Sequence, residues 1–242
     1  MESRNINFAA MPQTAITVIT KPGDFFQSMP RTGGFLEPLL FAVVMGVIAG
    51  IIYAVLSLLG LGQAAGQSPG MMAGLGMIIF MPIAAAVGSF IGAAILFVIW
   101  KILGSQENYE TAYRCCAYLM ALSPVTAVIS VIPYAGGIIS MAIYIFYVVT
   151  VSVAVHQIPA QKAWIVFGII GVVLALIGVF SEYRARDMSS SMDRWRQVGE
   201  EYRASARDME KSAREMSEEA EEMAKQFKEQ AEEARKQAEE NQ

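Results

Sequence analysis

Residues 39–59 read LLFAVVMGVIAGIIYAVLSLL, 21 positions with no charge, no proline and a single serine. A helix rises about 1.5 Å per residue, so roughly 20 apolar residues cross the ~30 Å hydrocarbon core of a bilayer. The stretch therefore predicts a membrane-spanning helix. Its surroundings are of the same kind. Residues 39–181 hold only five charges, Lys101, Glu107, Glu110, Arg114 and Lys162, whereas residues 182–242 hold 29. A soluble domain needs charge throughout to wet its surface, about a quarter of its residues, and this chain has 17%. The composition excludes an ordinary soluble enzyme, and high hydrophobicity excludes disorder for the middle of the chain.

Four more spans follow by counting outward. The uncharged run from Pro38 to Trp100 is too long for one helix and is punctuated by Gly60–Gln63 and Gln67–Gly70, a loop signal. Spans one and two then occupy about 39–59 and 71–100. A second uncharged run, Cys115–Val155, has Ile132-Pro133-Tyr134-Ala135-Gly136-Gly137 at its midpoint, which reads as a tight turn between spans at 115–131 and 138–155. The fifth lies at 164–180, between Lys162 and Glu182. The expectation is an all-α polytopic membrane helix bundle with five transmembrane helices and a long C-terminal amphipathic or coiled-coil helix. Its parts are an interfacial segment, 1–36, a membrane domain, 37–181, and a charged tail, 182–242.

Five spans place the termini on opposite sides. Arg4, Lys21, Arg31, Lys101, Arg114 and Lys162 all fall on the N-terminal side, which the positive-inside rule makes cytoplasmic. Arg184, Arg186, Arg194 and Arg196, just after span five, count against that orientation. The N-terminus has no signal-peptide pattern, so insertion rests on the spans.

The spans lack chemistry-bearing groups. No Asp, Glu, Lys, Arg or His lies well inside any of them, which disfavours an ion-coupled pump. Glu37 reads as an interfacial residue at the entry of span one. His156 has no second histidine or nearby acid, so neither a metal nor another cofactor is expected, and it reads as a snorkelling interfacial side chain. Cys115 and Cys116 are adjacent, with Cα atoms about 3.8 Å apart, closer than the roughly 4.4–6.8 Å a disulfide spans. They read as small apolar residues. Small residues recur instead at Gly46 and Gly50, at Ala84, Gly88 and Gly92, and at Gly171 and Ala175. Four-residue spacing clears one helix face and lets backbones approach, here chiefly within the monomer. Pro124 is expected to kink span three.

Outside the spans, Phe25, Phe26 and Met29 fall on one side of a short helix begun by Pro22, a pattern suited to the membrane surface or to a groove in the membrane domain. Residues 14–20, TAITVIT, fit either a strand or extended chain. The tail shows a heptad. Trp195, Tyr202, Met209, Met216 and Met223 repeat at d, while Ala206, Ala213, Ala220 and Phe227 repeat at a. A period of 3.5 residues held over about five heptads argues for a coiled coil or for docking on another long helix. The tail's acidic outer face argues against lying on anionic lipid. No basic stripe with stacking aromatics exists, so nucleic acid is not an expected partner.

Pro22 with Phe25-Phe26, a Gly-rich first span, Tyr113, Pro124, Pro133 with Gly136-Gly137, Tyr144, and His156 with Ala163 form an order that resembles the bacterial branch of the Yip family. These are membrane proteins described as interacting with Ypt/Rab GTPases. The resemblance covers about residues 18–181 and implies five spans with a cytoplasmic N-terminus. The chain departs from the eukaryotic members in lacking their long N-terminal region and their Asp-Leu-x-Gly-Pro element, and its tail extends beyond the family pattern. The expected function is non-enzymatic: membrane organisation or scaffolding among membrane lipids, the tail pairing with a second copy or a helical partner. The alternative is a transporter or channel for lipid or a small neutral solute, which requires a pocket lined by Ser89, Ser123, Thr126, Ser140, Thr150 or Ser152. An intramembrane enzyme would have to draw on Cys115, Cys116 and His156.

Overall fold

The computed structural model describes residues 8–61 and 71–240, and every element among them is helical. A 3-10 turn, Phe8–Ala10, leads into α1 (Met11–Thr20) and α2 (Pro22–Ser28). The spans follow as α3 (Leu36–Leu58), α4 (Met71–Leu103), α5 (Tyr109–Leu119) with α6 (Ser123–Ile129), α7 (Ala135–Ala154) and the first part of α8 (Ala160–Glu240). Five segments are long and apolar enough to cross a membrane: Leu36–Leu58, Gly74–Leu103, Tyr109–Ile129, Ala135–Ala154 and Ala160–Arg184. The chain divides into two units, Met1–Ala185 and Arg186–Gln242. The loop expected across 60–70 lies mostly outside the described residues.

Within the first unit, α3 and α4 form the tightest pair. A Cβ on Gly46 would stand 2.8 Å from the Pro82 Cα, and one on Gly50 would stand 2.5 Å from the Met77 carbonyl oxygen. Both glycines thus lie where one backbone meets another, and any side chain would force the helices apart. At Gly88 and Gly92 nothing lies within 4 Å, while Ala84 is half-buried and its neighbour Ala85 is buried. In α8, Gly171 faces the Ile145 side chain of α7, and Ala175 is half-buried.

Three local readings change. The β-branched segment 14–20 is helical, because Thr14, Thr17 and Thr20 return their hydroxyls to carbonyls four residues back, at 2.7–3.0 Å. Its Val18 is buried, and the Tyr147 hydroxyl of α7 donates to the Ile19 carbonyl at 2.6 Å. Span three does not kink smoothly at Pro124. The helix breaks into a 3-10 turn, Met120–Leu122, and restarts with Pro124 in its first turn, where the missing N–H costs nothing.

The third change concerns Phe25, Phe26 and Met29. Of the two expected settings, membrane surface or groove in the membrane domain, the second is found: Phe26 is 0% exposed, Met29 is 5% exposed, and half-buried Phe25 packs edge-on against Tyr118 at 5.1 Å. Burying the apolar face there gains aromatic contacts that lipid does not offer. Side chains such as Ile79, Ile102, Ile169 and Leu176 stand exposed on α4 and α8 instead.

Candidate functional site

One end of the first unit gathers the polar groups that the spans lack. It is built from the 29–35 segment, the loop between α4 and α5, and the loop between α7 and α8. Gly104, at φ +105°, allows the reversal after α4, and the Ser105 amide donates back to the Trp100 carbonyl at 2.9 Å. Asn108 then caps α5, its side-chain oxygen accepting from the Thr111 amide at 2.9 Å. This cap starts the third span at Tyr109, six residues before Cys115. Arg114 consequently lies in the second turn of the span, not in a loop, and its side chain is 0% exposed.

Arg114 Nη1 donates to the Gly34 carbonyl at 2.9 Å, and Nη2 lies 3.5 Å from a carboxylate oxygen of Glu37. Around it, Arg31 pairs with Glu107, the Gly34 amide donates to Glu110 at 2.7 Å, and the Thr111 hydroxyl donates to the Arg31 carbonyl at 3.2 Å. These bonds fasten the chain before span one to the start of span three. Among the described residues, Arg114 Nε and Nη2 find no hydrogen-bond acceptor. A buried guanidinium so placed depends on Glu37 for its compensating charge. Glu37 is accordingly half of an ion pair.

A second cluster closes the same end. Trp100, fully buried, donates from Nε1 to Ser152 Oγ at 2.8 Å, and Ser152 donates on to the Val148 carbonyl at 2.6 Å. His156 stacks on Trp100 with ring centroids 3.8 Å apart, and its Nδ1 lies 2.7 Å from Ser105 Oγ. It is buried, so it does not snorkel. Burial first, then the positive charges of Arg31 and Lys101, hold its pKa down at about 3. The chain leaves through Gln157, at φ +54°, and the Ile158 amide bonds to the Ser152 carbonyl at 3.0 Å. This backbone bond closes the C-terminal end of α7.

A serine against a histidine invites comparison with a nucleophile and its base, but the chemistry is wrong. His156 Nε2 has no acceptor to orient it, a pKa near 3 makes the ring a poor base, and Ser105 Oγ already accepts from the Glu107 amide at 3.2 Å. Cys115 and Cys116 are free thiols buried in α5. Among the described residues no three His, Cys, Asp or Glu groups come together as metal ligands would. The arrangement fastens helices.

The hydroxyls that a solute pathway requires are turned elsewhere. Ser89, Ser123, Thr126, Thr150 and Ser152 each donate to a carbonyl three or four residues back on their own segment, at 2.6–3.2 Å, and Ser140 is half-buried. Two grooves among the described residues are apolar. One, of about 340 Å³, lies between α1 and α3, against Met11, Ile19, Val44 and Pro124; the other, of about 190 Å³, lies among α4, α7 and α8, against Ile95, Tyr144 and Phe167.

The tail is the reverse case. Trp195 is 75% exposed, and Tyr202, Ala206, Met209, Ala213, Met216 and Met223 are exposed with it. Ala220 and Phe227 lie outside the described side chains. Solvated one-turn pairs such as Arg214–Glu210, at 2.8 Å, run along the helix surface.

Comparison with known proteins gives one match: the family model described as Yip1 domain fits residues 16–181. No curated protein and no solved structure matches the chain.

Proposed function

Because the chain belongs to the Yip1 domain family, we propose that it is a non-enzymatic organiser of membranes, a scaffold whose membrane domain sits among lipids and whose tail pairs with a second copy or a helical partner. One observation carries this reading. In the bundle, Trp100, Arg114, Ser152 and His156 are buried and spent on internal contacts, whereas the tail leaves a heptad seam of Trp195, Tyr202, Met209, Met216 and Met223 exposed. Exposed large apolar side chains at regular spacing are what an association surface requires. The matched region ends at Ser181, so the tail lies outside it.

The full-length protein in detergent is expected to sediment as an oligomer and a 1–186 truncation as a monomer. Equal masses would remove the tail's role in assembly. We place the protein in a bacterial cytoplasmic membrane, with a cytoplasmic N-terminus and the tail on the other side. The six bases on the N-terminal side support this orientation, and a C-terminal reporter fusion tests it. A cytoplasmic reporter signal would overturn it.

A further inference from the structure

We infer that the tail's partner is a second copy of this chain, bound antiparallel, with Met209 of each copy packed on Ala206 of the other. The inference rests on the proposed association role of the tail and adds both the partner and its direction. Its first support is the alternation of sizes along the seam. In a parallel pair each layer meets its own equivalent, so Trp195 would meet Trp195 and Gly199 would meet Gly199. Wide and narrow layers would then alternate every half-heptad, and no single helix separation fills the narrow ones without straining the wide ones.

An antiparallel pair instead sets a positions against d positions. In the register whose paired residue numbers sum to 415, Trp195 meets Ala220, Tyr202 meets Ala213, Met209 meets Ala206 and Met216 meets Gly199. Each of these four layers occurs twice by symmetry and combines one large residue with one small one; only at the two ends, where Met192 meets Met223 and Met188 meets Phe227, do large residues meet. Over the central layers the separation between helices is then uniform, the condition for interlocking side chains.

Charge supplies the second, independent support. Residues 188–207 carry four bases and three acids, whereas residues 208–227 carry three bases and seven acids. A parallel pair lays the acidic halves side by side. The antiparallel pair lays each acidic half against the nearly balanced half of the other copy, which lowers the repulsion. The same register sets Arg203 of one copy beside Glu210 of the other at flanking e positions, again twice. Glu210 Oε1 already accepts from Arg214 on its own exposed helix face, which leaves Oε2 for the second copy's Arg203. Ser205 and Ser212 at g are small enough to let the backbones draw together.

The test uses the full chain in detergent micelles, with a spin label on Ser190→Cys. Cys115 and Cys116 are buried and do not take the label. In the antiparallel pair the two labels stand 35 residues apart along the axis, about 50 Å. In a parallel pair they face each other within about 25 Å. A distance near 50 Å is expected. A short distance would overturn the antiparallel pair while leaving self-association of the tail intact. No dipolar coupling, with a monomeric mass, would overturn both. The register has its own test. Arg203→Glu or Glu210→Arg alone is expected to raise the dimer dissociation constant about tenfold, and the double variant to restore it. Failure of the double variant to restore pairing would overturn the register, because only here do those two positions meet.

Discussion

Trp100 and Trp195 are the same residue in opposite circumstances. Trp100 is 0% exposed, bonded to Ser152 and stacked on His156, at the end of a span. Trp195 stands in a helix with 75% of its surface in solvent. The membrane domain buries its polar groups and answers most of them internally, while the tail displays its apolar ones. Each choice suits its setting. Inside a bundle bathed in lipid, apolar contact alone gives little preference for protein over hydrocarbon, so hydrogen bonds and close backbone packing must fix the helices. In water the apolar surface itself supplies the drive to associate. The contrast falls at the boundary of the family match, which includes Trp100 and leaves Trp195 outside.

The pair of tryptophans offers the sharpest way to break that contrast. Trp100→Ala removes a fully buried indole together with its bond to Ser152, and is expected to cost about 3–5 kcal/mol of stability in detergent unfolding. Trp195→Ala is expected to leave unfolding of the bundle within about 0.5 kcal/mol of the parent while weakening oligomerisation. Both are read by thermal unfolding and by sedimentation of the same samples. If Trp195→Ala lowered the stability of the bundle as much as Trp100→Ala, the tail would have to be counted as part of the folded core.

His156 sharpens the contrast by titration. Its pKa falls from an ordinary 6.5 to about 3 in the folded chain, so the fold holds the ring neutral. The unfolded chain takes up the proton below about 6.5 and the folded chain does not until about 3. Stability from this group is therefore complete above pH 6.5 and is lost as pH falls toward 3, by about 1.4 kcal/mol per unit. Unfolding measured from pH 7 to pH 5 is expected to show this slope, and His156→Gln to flatten it. An unchanged slope in the variant would mean that another group governs the acid response.

Hydropathy alone made the five spans legible, because the rule that a bilayer needs about 20 apolar residues has few exceptions. It also misplaced the start of span three. Charge alone leaves Arg114 outside a span that begins at Cys115, whereas the cap at Asn108, followed by Glu110 in the first turn, marks the helix start. Phe26 was legible as apolar and helical, but its neighbour was not, since Phe25 reaches Tyr118 across 93 residues of chain. His156 was hidden in the same way. Ser105 and Trp100 lie more than fifty residues away, and sequence order says nothing of how two loops meet. What one segment's chemistry dictates was readable; what two distant segments do to each other was not.

The smallest expected effect tests whether that end of the bundle is built for stability alone. Gln157 holds φ +54°, a left-handed conformation that costs a residue with a Cβ roughly 1 kcal/mol. Its side chain is exposed, and the bond that closes α7, from the Ile158 amide to the Ser152 carbonyl, uses only backbone groups. Glycine is the residue this position favours. Gln157→Gly should therefore raise stability by about 0.5 kcal/mol, once the extra freedom of an unfolded glycine is subtracted. Gln157→Asn should fall between, since asparagine tolerates the left-handed region better than glutamine. The tail predicts the opposite, because Gly199 stands in the middle of a regular helix and Gly199→Ala should stabilise the isolated helix by up to about 1 kcal/mol. If Gln157→Gly instead destabilised the bundle, the exposed glutamine would have to be making a contact that matters. That end of the bundle would then be a surface that meets something, as the tail is proposed to be.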